Sequence, residues 1–194
     1  MSTTTRAAPY AGLPWSFRFK VLGLLVVAGL LIVLLALALE GHPGAINVTV
    51  AGGLAHVGAP APDFTTRTLE GAPLRLSQLR GKPVVLNFWA TWCAPCQDEM
   101  PLIQRASDLY GPQGLTIVAV DYQQTDSGAM KAFLSKVGVH FPAVYDPAGQ
   151  IAGEYGVNVG LPVSIFIDRS GTVNFIQLGQ MSNSILEQHI RSIV

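Results

Sequence analysis

Apolar and polar positions divide this chain into two unlike parts. From Val21 to Leu39, "VLGLLVVAGLLIVLLALAL", no charged or strongly polar side chain interrupts the run. As a helix it would reach roughly 28 Å, close to the hydrocarbon thickness of a bilayer, so a single transmembrane helix over 21–39 is expected. Arg6, Arg18 and Lys20 precede the run with no acid among them, and the next basic residue is Arg67. This asymmetry predicts a cytoplasmic N-terminus over 1–20 and the remainder on the far side, a single-pass inner-membrane protein with a periplasmic or extracytoplasmic bulk. Tyr10 and Trp15 suit the interface. Ala36-Leu37-Ala38 has the small-x-small form of a cleavage site, but the run exceeds the roughly 7–15 apolar residues of a signal peptide.

Residues 40–58, rich in Gly, Ala and Val and without a helical period, read as a linker. The folded domain is expected over 59–194. Within it, Phe64–Thr68 and Leu74–Leu76 form a hairpin pattern around "LEGAP", followed by a helical turn at Ser77–Leu79. Three unbroken apolar runs, "VVLNFW" (84–89), "LTIVAV" (115–120) and "VSIFI" (163–167), predict strands covered on both faces. "TVNFIQL" (172–178) alternates and follows the turn "DRSG", as an edge or antiparallel strand does.

Helical spacing appears between the strands. Met100, Ile103, Ala106 and Tyr110 recur at three to four residues, as do Met130, Phe133, Leu134 and Val137. Ser184 with Glu187 has the form of a capping box, and Leu186, Ile190 and Ile193 supply the buried stripe of a last helix. Strands alternating with helices predict an α/β fold, a central mixed sheet with helices on both faces.

Charge narrows the partners: twelve basic and twelve acidic residues leave no basic excess, so no nucleic acid is expected. The chemistry lies in "FWATWCAPCQDEMP" (88–101), which holds both cysteines, Cys93 and Cys96. A pair at this spacing can hold half a metal site, staple a short loop or exchange disulfides. A structural zinc needs four ligands and there is no second cysteine pair; His56, His140 and His189 are scattered. A staple across so short a loop stabilises least. Placed after a buried strand at a helix N-terminus, the Cys93 thiolate is favoured by free backbone N–H groups and the helix dipole. Cys96, one turn further in, is set to resolve a mixed disulfide, and Pro95 suits the first turn. The mechanics favour exchange.

The strand-Trp-Cys-x-x-Cys-helix unit resembles thioredoxin, and the wider pattern resembles the membrane-anchored reductases of the TlpA, ResA and CcmG (DsbE) group. "APDFTTRTLEGAPLRLSQLRGKPVVLNFWATWCAPCQDEMP" is similar to that group's opening and "GEYGVNVGLPVSIFIDRSG" to its second signature. The resemblance implies a thioredoxin-like fold with an N-terminal hairpin and one inserted helix, which Ser127–Val137 would supply. It implies that Cys93 attacks, Cys96 resolves, and Trp92, Ala94, Pro95, Leu161 and Pro162 line the substrate site, with Pro162 as a cis-proline and Pro101 as the helix-kinking proline. Where thioredoxin has a buried aspartate this chain has Asn87. Glu99, in a "CQDEMP" that departs from the group's spacing by one residue, would handle the proton of the thiol pair; alternatively it is a solvated first-turn acid.

The function so implied is a protein-disulfide reductase without cofactor. Its substrate would be apocytochrome c or a copper-site assembly protein, and its electron donor a CcdA- or DsbD-like membrane protein. Two alternatives stand beside it. A thiol peroxidase of peroxiredoxin type would need Thr and Pro where Ala90 and Leu86 stand. A copper-binding assembly factor would need a third ligand such as His140.

Overall fold

The computed structural model describes residues 25–35, 49–51, 54–158 and 160–194. It falls into two compact units, Met1–Ala45 and Ile46–Val194. In the first, helix α1 covers residues 25–35, its apolar side chains exposed. This corrects the expected membrane location. Among the described residues no helix is long and apolar enough to cross a membrane, and α1 as described reaches only about 16 Å, against about 30 Å of hydrocarbon. The segments expected at 1–20 and at the two ends of the apolar run, with Tyr10, Trp15 and the Ala36–Ala38 site, lie outside the described residues.

The second unit has a thioredoxin-like α/β fold. Its main sheet contains β4 (Val84–Trp89), β5 (Thr116–Asp121), β6 (Ala143–Val144), β7 (Val163–Ile167) and β8 (Val173–Leu178), in the order β6-β5-β4-β7-β8. β4 runs parallel to β5 and antiparallel to β7, so the sheet is mixed. All six residues of β4 are buried. A smaller antiparallel sheet joins β1 (Thr49–Ala51), β2 (Asp63–Arg67) and β3 (Pro73–Arg75). Thus the stretch expected as a linker contributes a strand, paired with β2 from Thr49↔Thr65 to Ala51↔Asp63.

The pleat of each buried strand sends alternate residues to opposite layers. Val84, Leu86, Phe88, Val118, Val120, Ile165 and Ile167 join Phe64 and Leu74 of the small sheet and Ile151 and Tyr155 near α4 (Gln150–Glu154). On the other face Val85, Trp89, Ile117 and Phe166 meet α2 (Ala94–Tyr110), α3 (Ser127–Lys136) and α5 (Asn183–Ile193). The side chains expected on the inner stripe of α2, Met100, Ile103, Ala106 and Tyr110, are buried in this layer. Each large apolar side chain enclosed there contributes roughly 1.5–3 kcal/mol. Pro101 lies inside α2.

The start of α5 differs from the capping box expected at Ser184. Ser182 is the cap, its hydroxyl accepting from the Ile185 N–H at 3.3 Å. Glu187 instead accepts from Asn183 at 2.7 Å and pairs with Arg191 at 3.1 Å. The reason is tertiary: Met181, just before the cap, is tied by its backbone N–H to Glu99.

Candidate active site: a disulfide over a buried carboxylate

β4 carries the chain through the core and releases it at Trp89, and five residues later, at Ala94, α2 begins. Cys93 is the N-cap of α2, in extended conformation, and its Sγ accepts from the Cys96 N–H at 3.2 Å. The two cysteines form a disulfide with Cα atoms 5.2 Å apart. A sulfur in this position faces the unpaired N–H groups of the first turn, where negative charge is favoured. Cys93 retains 5 % exposure and Cys96 1 %, so the first sulfur is the one a partner can approach. Ala94 and Pro95 are exposed between them, and Trp92 stands at 66 % exposure with its ring edge-on to Tyr122.

Leu161 and Pro162 reach this place from the far end of the sequence. The register Phe88↔Val163 sets Pro162 beside the end of β4 from which the Cys93 loop departs. The Leu161–Pro162 peptide is cis, Pro162 is buried and its carbonyl accepts from the Gly179 N–H at 2.9 Å. Leu161 is half-buried. The residues singled out in the two sequence blocks therefore meet at one end of the sheet.

Glu99 is not the solvated first-turn acid that the sequence also allowed. It is 1 % exposed, turned from α2 toward the sheet. Its Oε1 accepts from the Met181 N–H at 2.7 Å and its Oε2 from the Asn87 amide at a long 3.4 Å. Asn87 also donates to the Ser164 hydroxyl at 3.0 Å. Asn87 and Ser164 occupy facing positions of β4 and β7, both buried. Burial pushes the Glu99 carboxyl up to about 7, against the pull of the Met181 N–H and the Asn87 amide. One turn from Cys96 there is thus a group that can take or give a proton near neutral pH.

Ser164 and Met181 went unnoticed in the sequence, because one contributes a hydroxyl in an apolar run and the other only a backbone N–H. Trp89, expected in the core, is fully buried and stacks on Phe133 of α3 at 5.4 Å, with its indole N–H unpaired.

Residues 57–176 match the AhpC/TSA family. The chain belongs to that family. Within it, the chain is 40 % identical over 162 residues to the thiol-disulfide oxidoreductase ResA of Geobacillus thermodenitrificans, covering 84 % of this chain and 92 % of that protein. The crystal structure of a Chlorobium tepidum protein described as thiol:disulfide interchange protein DsbE superposes with a TM-score of 0.66 at 36 % identity, covering 72 % of this chain and 98 % of the other. A secreted Mycobacterium tuberculosis disulfide oxidoreductase described as homologous to E. coli DsbE gives a TM-score of 0.60 at 32 % identity, over 66 % and 95 %. This AhpC/TSA protein is a thiol-disulfide oxidoreductase.

The alternatives find little in the site. Leu86 and Ala90, which stand where a peroxidase would need Pro and Thr, are buried apolar residues offering no hydroxyl. His140 is exposed, in a groove with Glu70 and Lys131. Among the described residues no three His, Cys, Asp or Glu side chains cluster as a metal site requires.

Proposed function

We propose that the protein works as a reductant of disulfides in selected protein substrates. The observation that carries this reading is the Cys93–Cys96 disulfide at a helix N-terminus, with the carboxyl of Glu99 enclosed one turn away. In the reduced protein the Cys93 thiolate attacks a substrate disulfide. A mixed disulfide forms and one substrate sulfur leaves as thiolate. Cys96 then attacks Cys93 Sγ, its proton passing to the Glu99 carboxylate, and the second substrate sulfur leaves. Two electrons have moved to the substrate, and Cys93–Cys96 is again oxidised.

Leu161 and Pro162, with Trp92, Ala94 and Pro95, form the surface on which the substrate's extended segment lies. A charged Glu99 disfavours a nearby thiolate, so its titration near neutrality times resolution to proton uptake. The substrate we favour presents two closely spaced cysteines, as apocytochrome c does at its haem-attachment site, or as a copper-site assembly protein does. A CcdA- or DsbD-like dithiol protein returns the electrons. The domain at 59–194 does this chemistry.

The test is a pair of variants in the full chain. Cys93→Ser loses disulfide reductase activity, and Cys96→Ser accumulates a mixed disulfide with the partner, identified by mass spectrometry after non-reducing electrophoresis. Full turnover by Cys96→Ser would overturn the mechanism.

A further inference from the structure

A second buried acid network reaches the cysteine loop from β5. Asp121 ends β5, and its partner in the β4 register is Trp89, the last residue before the loop. Asp121 and Asp146 are both fully enclosed. The Asp146 carboxylate accepts from the Gln150 N–H at 2.8 Å and the Ala152 N–H at 2.9 Å, at the start of α4. Asp121 accepts from the Gln124 backbone N–H at 3.1 Å and from the Gln124 side-chain amide. With its NH2 held on that carboxylate, the amide has only one way to face. Its Oε1 accepts from the Thr91 N–H at 2.9 Å and from the Thr91 hydroxyl.

Thr91 is held from the other side too, its carbonyl accepting from Gln97 Nε2 at 2.6 Å. All three polar groups of the residue two before Cys93 are therefore fixed. Gln123, between the two ends of the clamp, takes a left-handed φ of 55°. Such a conformation persists in a non-glycine residue only when its surroundings hold it. Here its side chain fills the space over Gly149, where a Cβ would come within 2.5 Å of Gln123 Nε2.

We propose that Gln124, oriented by Asp121, is a positioning residue for Cys93, acting through Thr91 on the short loop between β4 and α2. Neither side chain hydrogen-bonds to a cysteine. Their effect is on where the attacking sulfur is held: attack on a disulfide needs a defined line of approach, and a misplacement of about 1 Å can cost on the order of a hundredfold in rate. The Asp121 carboxylate keeps the clamp set at neutral pH. Burial raises Asp121 to about 6 with the Asp146 charge adding to the rise, while the Gln124 hydrogen bonds oppose it, so Asp121 is mainly anionic above that pH. The groups facing it are Asp146, from the segment before α4, and Tyr145, whose hydroxyl donates to the Thr125 carbonyl. This inference rests on the reading of Cys93 as the attacking sulfur.

The experiment uses the reduced full chain with oxidised glutathione as a generic disulfide, and measures the rate of reduction together with the pH profile of Cys93 alkylation by iodoacetamide. Gln124→Ala is expected to slow reduction about tenfold or more and to shift the alkylation profile. Asp121→Asn is expected to lose less. The double variant is expected to be no slower than Gln124→Ala, because Asp121 acts through Gln124. Gln124→Met, close to the glutamine in volume, repeats the measurement should the alanine variant unfold. A Gln124 variant that keeps both rate and alkylation profile within about twofold, or single losses that multiply in the double variant, would overturn the clamp. If Cys93→Ser itself still reduces glutathione, the underlying reading fails instead.

Discussion

Two sets of carboxylates are buried in this domain, and they are buried on different terms. Asp146 lies at the start of a helix and receives the backbone N–H groups of Gln150, Ile151 and Ala152, so its raised carboxyl is opposed by three strong donors. Glu99 has one short hydrogen bond, from Met181, and one long one, from Asn87. Several N–H donors pull a buried carboxyl back toward its ordinary range, whereas one supplied with few, as Glu99 is, can take or give a proton close to neutral pH. The contrast separates a carboxylate that builds a loop from one that can serve a reaction. Burial alone would not have told them apart.

The largest way to break the contrast is Asp146→Ala. It leaves the start of α4 without its acceptor and is expected to cost about 3 kcal/mol at neutral pH, read by urea denaturation. Glu99→Gln is expected to act in the opposite sense, and only above a certain pH. The Glu99 carboxyl titrates near 4.5 when unfolded and near 7 when folded, so the native state keeps a proton that the unfolded chain has lost. Its contribution is intact below about pH 4.5 and is lost as pH rises to 7. Glu99→Gln should therefore flatten the fall in stability across that window and be more stable than the parent by roughly 2–3 kcal/mol at pH 8. No change in slope would show that Glu99 is better solvated by its donors than its burial implies. The smallest effect is expected from Ser164→Ala, which removes one acceptor of the Asn87 amide at a cost of about 1 kcal/mol. It also frees that amide to close on Glu99, so the Glu99 titration followed by NMR should move down.

Much of the frame was legible. The runs at 84–89 and 163–167 are strands to the residue, since an apolar run of that length fits little but a strand covered on both faces. The cysteines could be placed because the end of that strand and Pro95 together fix a helix start. β6 and α4 were not legible, having only two and five residues, too few for any period to show. The start of α5 fell two residues from its expected place because Ser182, Asn183 and Ser184 can all cap a helix. The choice among them is made by the Met181 contact with Glu99, across 82 positions of sequence. Gln124 was invisible for the same reason, since its partner Thr91 is 33 positions away. Long-range polar contacts leave no local trace. The apolar run at 21–39 misled in the opposite way: its composition is that of a span, yet among the described residues no helix is long and apolar enough to cross a membrane.

Pro101 divides the helix that carries the chemistry. Without an N–H it cannot bond to the Gln97 carbonyl, so the ladder of α2 has a missing rung just after the turn that holds Cys93, Cys96 and Glu99. Beyond it, Ile103, Ala106 and Tyr110 fasten the remaining turns to the core. The missing rung is expected to let the first turns open sooner than the rest even though Cys96, Glu99 and Met100 are buried, so that their amides exchange with deuterium before those after residue 103, and reduction of the disulfide should widen that difference. Equal exchange on both sides of Pro101 would make the helix a single unit of stability as well as of shape.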